Sequence, residues 1–353
     1  MKRHKKALEN LAKGVAIPAL PLALNSKREF NEKRQRVLMR YYLDAGVGGV
    51  AVAVHATQFE IRDSEIGLFE PVLKIAIEEI EKYEKATSKV IVRIGGVLGK
   101  TDQAISEATL QKSLGYDAVL LAMSGLEDYT EDEIIERTRK IAEIIPVIGF
   151  YLQKRAGGRI FSYNFWEKFV EIKNVVAIKT APFNRYYTLD VVRAVATSSR
   201  ADEIALYSGN DDSIVIDLVS EYEFKMDGKT YKKSYVGGLL GHWAVWTNSA
   251  VKMFEKLKEI KKLDCLPKDI LVLANEVTDM NAVLFDTAND FSGSTPGVHE
   301  VLRRQGILEG TWCLNEKRAL SPGQSEEIDR MYKMYPHLTD DAFVKENIDK
   351  WFK

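Results

Sequence analysis

The stretch Asn174-Val-Val-Ala-Ile-Lys-Thr-Ala181 sets a lysine directly after four apolar residues. Those residues are β-branched or small and show no polar alternation, which reads as a buried parallel strand. An ammonium there must be paired, reach solvent, or be kept neutral, because desolvating an isolated charge costs several kcal/mol or more. A neutral, desolvated lysine attacks carbonyl groups and forms Schiff bases. The bland alternative for Lys179 is a strand-end lysine in water. Such chemistry also needs a proton carrier for the carbinolamine and the leaving group. Tyr151 ends the preceding apolar run and has a hydroxyl that donates and accepts. Thr57, after another apolar run, could relay protons to it. Tyr151 reads equally well as an amphipathic core tyrosine.

Eight apolar runs must position these residues. They are Gly14–Leu22, Gly48–Val54, Lys89–Ile94, Asp117–Ala122, Pro146–Tyr151, Val175–Ile178, Ile204–Ser208 and Tyr235–Leu240. Helical patterning fills the gaps, as in Phe69–Lys85 and Glu131–Ile145, where apolar residues recur on one face among Glu, Lys and Arg. Eight strand-then-helix repeats over residues 14–262 predict a (β/α)8 TIM barrel, with a doubly wound open sheet as the competitor. Asp227-Gly228 predicts a hairpin inserted near 221–234. Beyond residue 263 the alternation stops. Pro267–Asp286, Pro296–Gln305, Gln324–Tyr335 and Asp340–Phe352 read as a C-terminal helical extension. Active-site residues of such barrels project from the C-terminal ends of the strands, where Lys179, Tyr151 and Thr57 all fall.

Fifty Lys+Arg against 51 Asp+Glu give a net charge of −1, which favours neither nucleic acid nor an anionic membrane surface. No stretch has the roughly 18 apolar residues of a spanning helix. The basic segment 1–13 is not followed by the long apolar run of a secretory leader. Cys265 and Cys313 lie far apart, so a reduced, cytoplasmic protein is expected. Ile94-Gly-Gly-Val-Leu-Gly-Lys-Thr101 follows a strand but lacks the first glycine of a phosphate-binding loop. The five histidines have no ligand spacing, so no metal site is expected.

Several blocks together resemble the dihydrodipicolinate synthase/N-acetylneuraminate lyase family of Schiff-base class I aldolases. They are Phe150-Tyr151, Asn174-Val-Val-Ala-Ile-Lys179, Tyr207-Ser-Gly-Asn-Asp211 and Val236-Gly-Gly-Leu-Leu-Gly241. Gly95–Thr101 with Leu114–Leu120, and Thr295–Val298 with Gly306–Leu308, extend the likeness over most of the chain. The resemblance implies Lys179 as the Schiff-base lysine, Tyr151 as the proton-shuttling tyrosine and Thr57 in the relay. It also implies a lyase that uses no cofactor and works next to the carbonyl of a 2-oxo acid or sugar-derived substrate, in a homodimer or homotetramer. His55, Gln58, Asn210, Gly238 and His242 are the rim residues expected to bind substrate.

The departures are specific. The family's Gly-Thr-Thr-Gly-Glu is here replaced within His55-Ala-Thr57-Gln-Phe-Glu60, and its Tyr-Asn-x-Pro is Tyr151-Leu-Gln-Lys154. Ala122–Asp128 has no counterpart of the tyrosine lent by a neighbouring subunit. Arg155 and Arg159 only approximate the arginine that holds a second carboxylate. A divergent substrate is therefore expected. The alternatives are a true dihydrodipicolinate synthase, condensing pyruvate with aspartate semialdehyde, and a barrel that binds a small molecule without turnover.

Overall fold

The computed structural model describes residues 2–353. The barrel strands are β1 (Ala16–Pro18), β2 (Gly49–Val52), β3 (Val92–Val97), β4 (Ala118–Leu121), β5 (Val147–Leu152), β6 (Val175–Ala181) and β7 (Ala205–Ser208). Strand β8 (Glu221–Met226) folds back antiparallel on the first half of β9 (Lys229–Leu240), through a turn in which Asp227 and Gly228 both take positive φ. The second half of β9 enters the barrel as its eighth strand. All barrel pairings are parallel, in the order β1-β9-β7-β6-β5-β4-β3-β2. The ring closes where the Gly48 amide donates to Ala16 (3.1 Å) and the Leu20 amide to Ala51 (2.8 Å). An open doubly wound sheet has no such bond, so the fold is a (β/α)8 barrel.

Two cores follow from strand alternation. Ile17, Ala51, Ile94, Leu120, Ile148, Phe150, Ala177 and Tyr207 fill the barrel. The opposite strand faces pack under the surrounding helices α2 (Glu32–Ala45), α3 (Phe69–Thr87), α4 (Thr101–Ser113), α5 (Glu131–Ala142), α6 (Tyr163–Val170), α7 (Arg185–Thr197), α8 (Ile214–Val219) and α9 (Thr247–Ile260). The N-terminal basic segment is a helix, α1 (Lys2–Lys13), which buries Ala7 and Leu11. It plugs the N-terminal end of the barrel: Tyr207, inside the barrel, donates its hydroxyl to the Leu11 carbonyl at 2.7 Å.

The C-terminal helices are α10 (Asp269–Leu284), α11 (Ser294–Arg304), α12 (Gln324–Met334) and α13 (Asp341–Trp351). They do more than extend the chain, because α10 and α11 roof the C-terminal mouth. Gly297 allows that approach: a Cβ there would lie 2.2 Å from the Leu284 carbonyl oxygen. Among the described residues, no helix is long and apolar enough to cross a membrane.

Candidate active site

Strand β6 carries Ala177, Lys179 and Ala181 on its inner face, so the lysine points into the barrel between two small neighbours. Lys179 is 8% exposed. Its Nζ lies 4.4 Å from the centre of the Phe150 ring. Among the described residues it has no hydrogen-bond or ion-pair partner. Gly209 makes room for its stem, since a Cβ there would lie 2.3 Å from Lys179 Cε. Burial pulls the amine below the usual lysine range, partly offset by the Asp211 carboxylate. Burial in turn pushes Asp211 up, against the pull of the His242 amide and of Lys179. Asp211 Oδ1 accepts that amide at 3.1 Å.

These groups line a cavity of about 110 Å³ at the C-terminal mouth. His55 and Ala56 come from the turn after β2, Leu152, Gln153 and Ala156 from β5 and its loop, and Phe183 from the loop after β6. Phe285, Phe291, Thr295, Val298 and His299 come from the C-terminal helices. His55 is pushed down to about 4 by burial, then by the charges of Arg318 and Lys179, so its imidazole is neutral. His299 is fully buried and also pushed down to about 4 by burial. Neither of its ring nitrogens meets hydrogen-bond geometry with a protein atom, although the backbone of Thr311 and Trp312 faces the ring. Phe183 and Phe291, in contact across the mouth at 5.8 Å between ring centres, both hold left-handed φ (49° and 67°). Such backbone costs of order 1–3 kcal/mol per residue and gathers at functional sites.

Several sequence expectations are corrected here. Tyr151 is not beside Lys179. Its ring lies in the outer layer against Trp166 (5.0 Å), Phe161 (5.8 Å) and Tyr187 (6.1 Å), and burial pushes its phenol up to about 12. The cause is a bulge between β5 and β6, after which the partners are Ile148↔Ala177, Phe150↔Lys179 and Tyr151↔Thr180. Continued without the bulge, the Val147↔Val175 register would set Tyr151 opposite Lys179. Thr57 is fully buried outside the cavity wall and spends its hydroxyl on the Leu20 carbonyl (2.6 Å), so it cannot relay to Tyr151.

The rim residues divide in the same way. His55 lines the cavity. Gln58 does not; it accepts the Leu314 amide at 2.7 Å and pins the C-terminal segment to the barrel. Asn210 turns outward to Asp217 (3.0 Å) and Thr188 (3.3 Å). Gly238 lies under Trp243, where a Cβ would come within 2.6 Å of that ring. His242 stands behind the wall, its Nδ1 on Asn281 Oδ1 (2.5 Å), while Asn281 donates to the Asp211 carbonyl (2.7 Å). The residues missed are Phe150, Asp211 and His299. Strand alternation carried past the end of β7 would have found one of them, because Tyr207, Gly209 and Asp211 share a face while Ser208 and Asn210 share the other. His299 gives no local signal, since eight consecutive residues of α11, Thr295–Leu302, are buried and leave no polar face to read.

A profile of the Dihydrodipicolinate synthetase family matches residues 12–220. The 4-hydroxy-tetrahydrodipicolinate synthase of Clostridium novyi (strain NT) is 27% identical over 187 residues, 52% of this chain and 58% of that protein. The one of Staphylococcus haemolyticus (strain JCSC1435) is 25% identical over 210 residues, 59% of this chain and 66% of that one. Across five such curated relatives the chain spans 43% to 66% of their length. Solved structures match over more of the chain. N-acetylneuraminate lyase from Fusobacterium nucleatum superposes with a TM-score of 0.69 at 18% identity, covering 91% of this chain and 98% of that one. Dihydrodipicolinate synthase from Oceanobacillus iheyensis gives 0.73 at 16% identity, covering 94% and 99%. With well over half its length matched by the family profile, the chain belongs to the dihydrodipicolinate synthetase family.

Proposed function

We propose that this protein is a Schiff-base lyase that makes or breaks a carbon–carbon bond next to a carbonyl group, with Lys179 as the nucleophile. The observation that carries the reading is the amine itself: inside the barrel, without a hydrogen-bond or ion-pair partner among the described residues, at the floor of the cavity at the barrel's mouth. An ordinary lysine offers roughly one free base in a few thousand at pH 7, and each unit of lowering raises that fraction about tenfold. Burial of Lys179 acts in that direction.

In the proposed sequence Lys179 Nζ adds to the carbonyl carbon, and the carbinolamine expels water to give an iminium. The hydroxyl on the farther carbon then gives up its proton to a group on the cavity wall, the bond between the next two carbons breaks, the far fragment leaves as a carbonyl compound, and the electron pair of that bond enters the enamine. A proton returns to that carbon, and water releases the ketone or aldehyde and the free amine. Proton carriers must come from the cavity wall. Asp211, held partly protonated by burial, and the neutral His55 support that role; Tyr151 and Thr57 do not, being outside the wall. Assembly into a homodimer or homotetramer in the cytoplasm belongs to the same reading.

Two measurements test it. Borohydride added with a carbonyl compound should fix a secondary amine on Lys179, read by peptide mass mapping; label confined to other lysines overturns the assignment. Exchange of the carbonyl compound's α-protons in D2O, followed by NMR, reports the enamine. The reading of a barrel that binds without turnover is favoured by one observation, Phe150 facing the amine where a proton-carrying side chain would act. Label on Lys179 without α-exchange would select it. Condensation of pyruvate with aspartate semialdehyde would instead identify a true synthase.

A further inference from the structure

Four titratable side chains line the cavity: Lys179, Asp211, His55 and His299. Lys179 is the nucleophile, and His299 sits in the roof, on α11. Among the described residues no side-chain hydrogen bond holds the His55 ring, which packs edge-on against Phe59 at 5.8 Å between ring centres. Asp211 is held differently, by a closed ring of three hydrogen bonds that reaches outside the barrel. Asn281 of α10 donates its side-chain amide to the Asp211 carbonyl oxygen at 2.7 Å. A carbonyl only accepts, so the NH2 of Asn281 must face it and Oδ1 is left for His242. The imidazole therefore carries a proton on Nδ1, which it donates to Asn281 Oδ1 at 2.5 Å. The His242 backbone amide closes the ring on Asp211 Oδ1 at 3.1 Å. Among the described residues nothing donates to Asp211 Oδ2, so that oxygen is available to a substrate.

The hold is stiff. Asn281 is 2% exposed, with donor and acceptor both in use. One helical turn earlier Thr278 donates to the Asp212 carbonyl at 3.0 Å. Two successive carbonyls of the turn after β7 thus hang on α10.

Resting on the Schiff-base reading, we propose that Asp211 carries the protons of this site through Oδ2, and that Asn281 is the positioning residue that fixes its carboxyl at the cavity wall. The proton on Asp211 passes to the carbinolamine hydroxyl, the C–O bond breaks, and water leaves. Lys179 is then an iminium and Asp211 a carboxylate. The carboxylate takes a proton from the adjacent carbon, and the C–H electron pair forms the enamine with a neutral nitrogen. Each step moves one proton between Asp211 and the substrate, so the site as a whole neither gains nor loses charge. Burial pushes Asp211 up to about 7, which keeps the acid form available at neutral pH. The titratable groups that face it are Lys179, Asp212 and His242, with His55 and His299 on the same cavity wall.

Pyruvate and butanone are the probes, on the full-length protein. Cyanoborohydride trapping gives the fraction of molecules that form the Lys179 adduct. The rate of α-proton exchange in D2O is divided by that fraction, so unfolded protein does not count. Exchange is followed at saturating probe, where the amine is already an iminium and its own ionisation drops out. Asp211→Asn still accepts the His242 amide. It should lower exchange at least about a hundredfold, as loss of a general acid–base group does, abolish the fall in rate at low pH, and leave Lys179 trappable. Asn281→Leu should lower the maximal rate about tenfold. Asn281→Asp still accepts from His242 but sets an anion near Asp211, so the fall at low pH should begin at a higher pH. An asparagine that merely supports the fold would not move the profile in that direction. His55→Gln should cost at least tenfold less than Asp211→Asn. Wild-type exchange in Asp211→Asn, or an equal loss in His55→Gln, overturns the assignment and leaves the Schiff-base reading standing. Rates within twofold and an unmoved profile in both Asn281 variants overturn the positioning role. Absence of a Lys179 adduct with either probe overturns both readings.

Discussion

The two ends of the barrel treat buried charge in opposite ways. At the N-terminal end, Arg93 on β3 is 5% exposed and meets Glu84 at 2.7 Å. Arg3 of α1 meets the same Glu84 at 2.7 Å and Asp117 at 2.6 Å, and Asp117 also accepts the Arg93 amide at 3.0 Å. At the C-terminal end, Lys179 has no partner, and two neutral histidines and a raised aspartate share its cavity. An ion-pair cluster ties the plug to the strands at one end, while at the other the cost of desolvating the Lys179 amine is only partly offset, by Asp211. Barrels of this kind keep stability on the first face and chemistry on the second.

Substituting the two cations should separate those roles. Lys179→Met keeps the stem's volume and removes the amine, so labelling and turnover should fall at least about a thousandfold. The urea midpoint should not drop, because the variant no longer buries an unpartnered amine. Arg93→Met should do the reverse. It removes a buried guanidinium and leaves the part-buried Glu84 short of one partner, and should cost about 3 kcal/mol in urea unfolding, with the folded protein labelling at the wild-type rate. A Lys179→Met protein that unfolds as readily as Arg93→Met would erase the contrast.

pH should divide the ends as well. Glu84 is raised by burial but held net below the usual glutamate range by Arg3 and the Ile91 amide. Its folded value lies below its unfolded one, so its stabilisation is present above the unfolded pKa and is lost as pH falls through the folded value. Lys179 has a folded value below the unfolded one too, but it is a base. Between the two values the unfolded chain binds the extra proton, so stability rises as pH rises through that window. The labelling rate should climb with pH and level off below the usual lysine range near 10.4. His55 stays neutral until about pH 4, so no loss from its protonation is expected between pH 6 and 8. A plateau only at lysine's ordinary pKa would show that the amine is in water.

Gly209→Ala should have an intermediate effect. The new methyl would meet Lys179 Cε at 2.3 Å and Ala181 Cβ at 3.0 Å. The flexible lysine gives way first, so labelling should drop about tenfold while stability falls by roughly 1–3 kcal/mol, the usual cost of overpacking a core.

How far such details can be read before folding differs between strands and site. The apolar runs bounded by turn residues marked all eight barrel strands, and the lysine at the end of β6 was visible because an amine there has few physical options. Facing was not legible on β5. Both faces of that strand are buried, so no polar alternation distinguishes Phe150 from Tyr151, and the deciding bulge belongs to a pairing formed far along the chain. Past β7, Asn210 and Asp211 are both polar, and only their alternation from Tyr207 tells them apart. The C-terminal helices were legible as helices, but their docking over the mouth, which brings in Phe291 and His299, depends on tertiary fit such as the close approach at Gly297.

Tyr151→Phe isolates that question of facing, and its expected effect is the smallest. The lost hydroxyl lies in the outer aromatic layer and its ring stays packed against Trp166 and Phe161. Labelling of Lys179 and α-proton exchange should remain within about twofold of wild type, and stability within about 1 kcal/mol. Phe150→Tyr is the partner experiment, because it puts a phenol on the strand position directly opposite Lys179. It should change the pH profile of α-exchange while Tyr151→Phe leaves that profile alone. If instead Tyr151→Phe lowers exchange a hundredfold and Phe150→Tyr does nothing, strand β5 presents its other face to the amine. The bulge would then sit elsewhere, and Asp211 and His55 would lose their place as proton carriers.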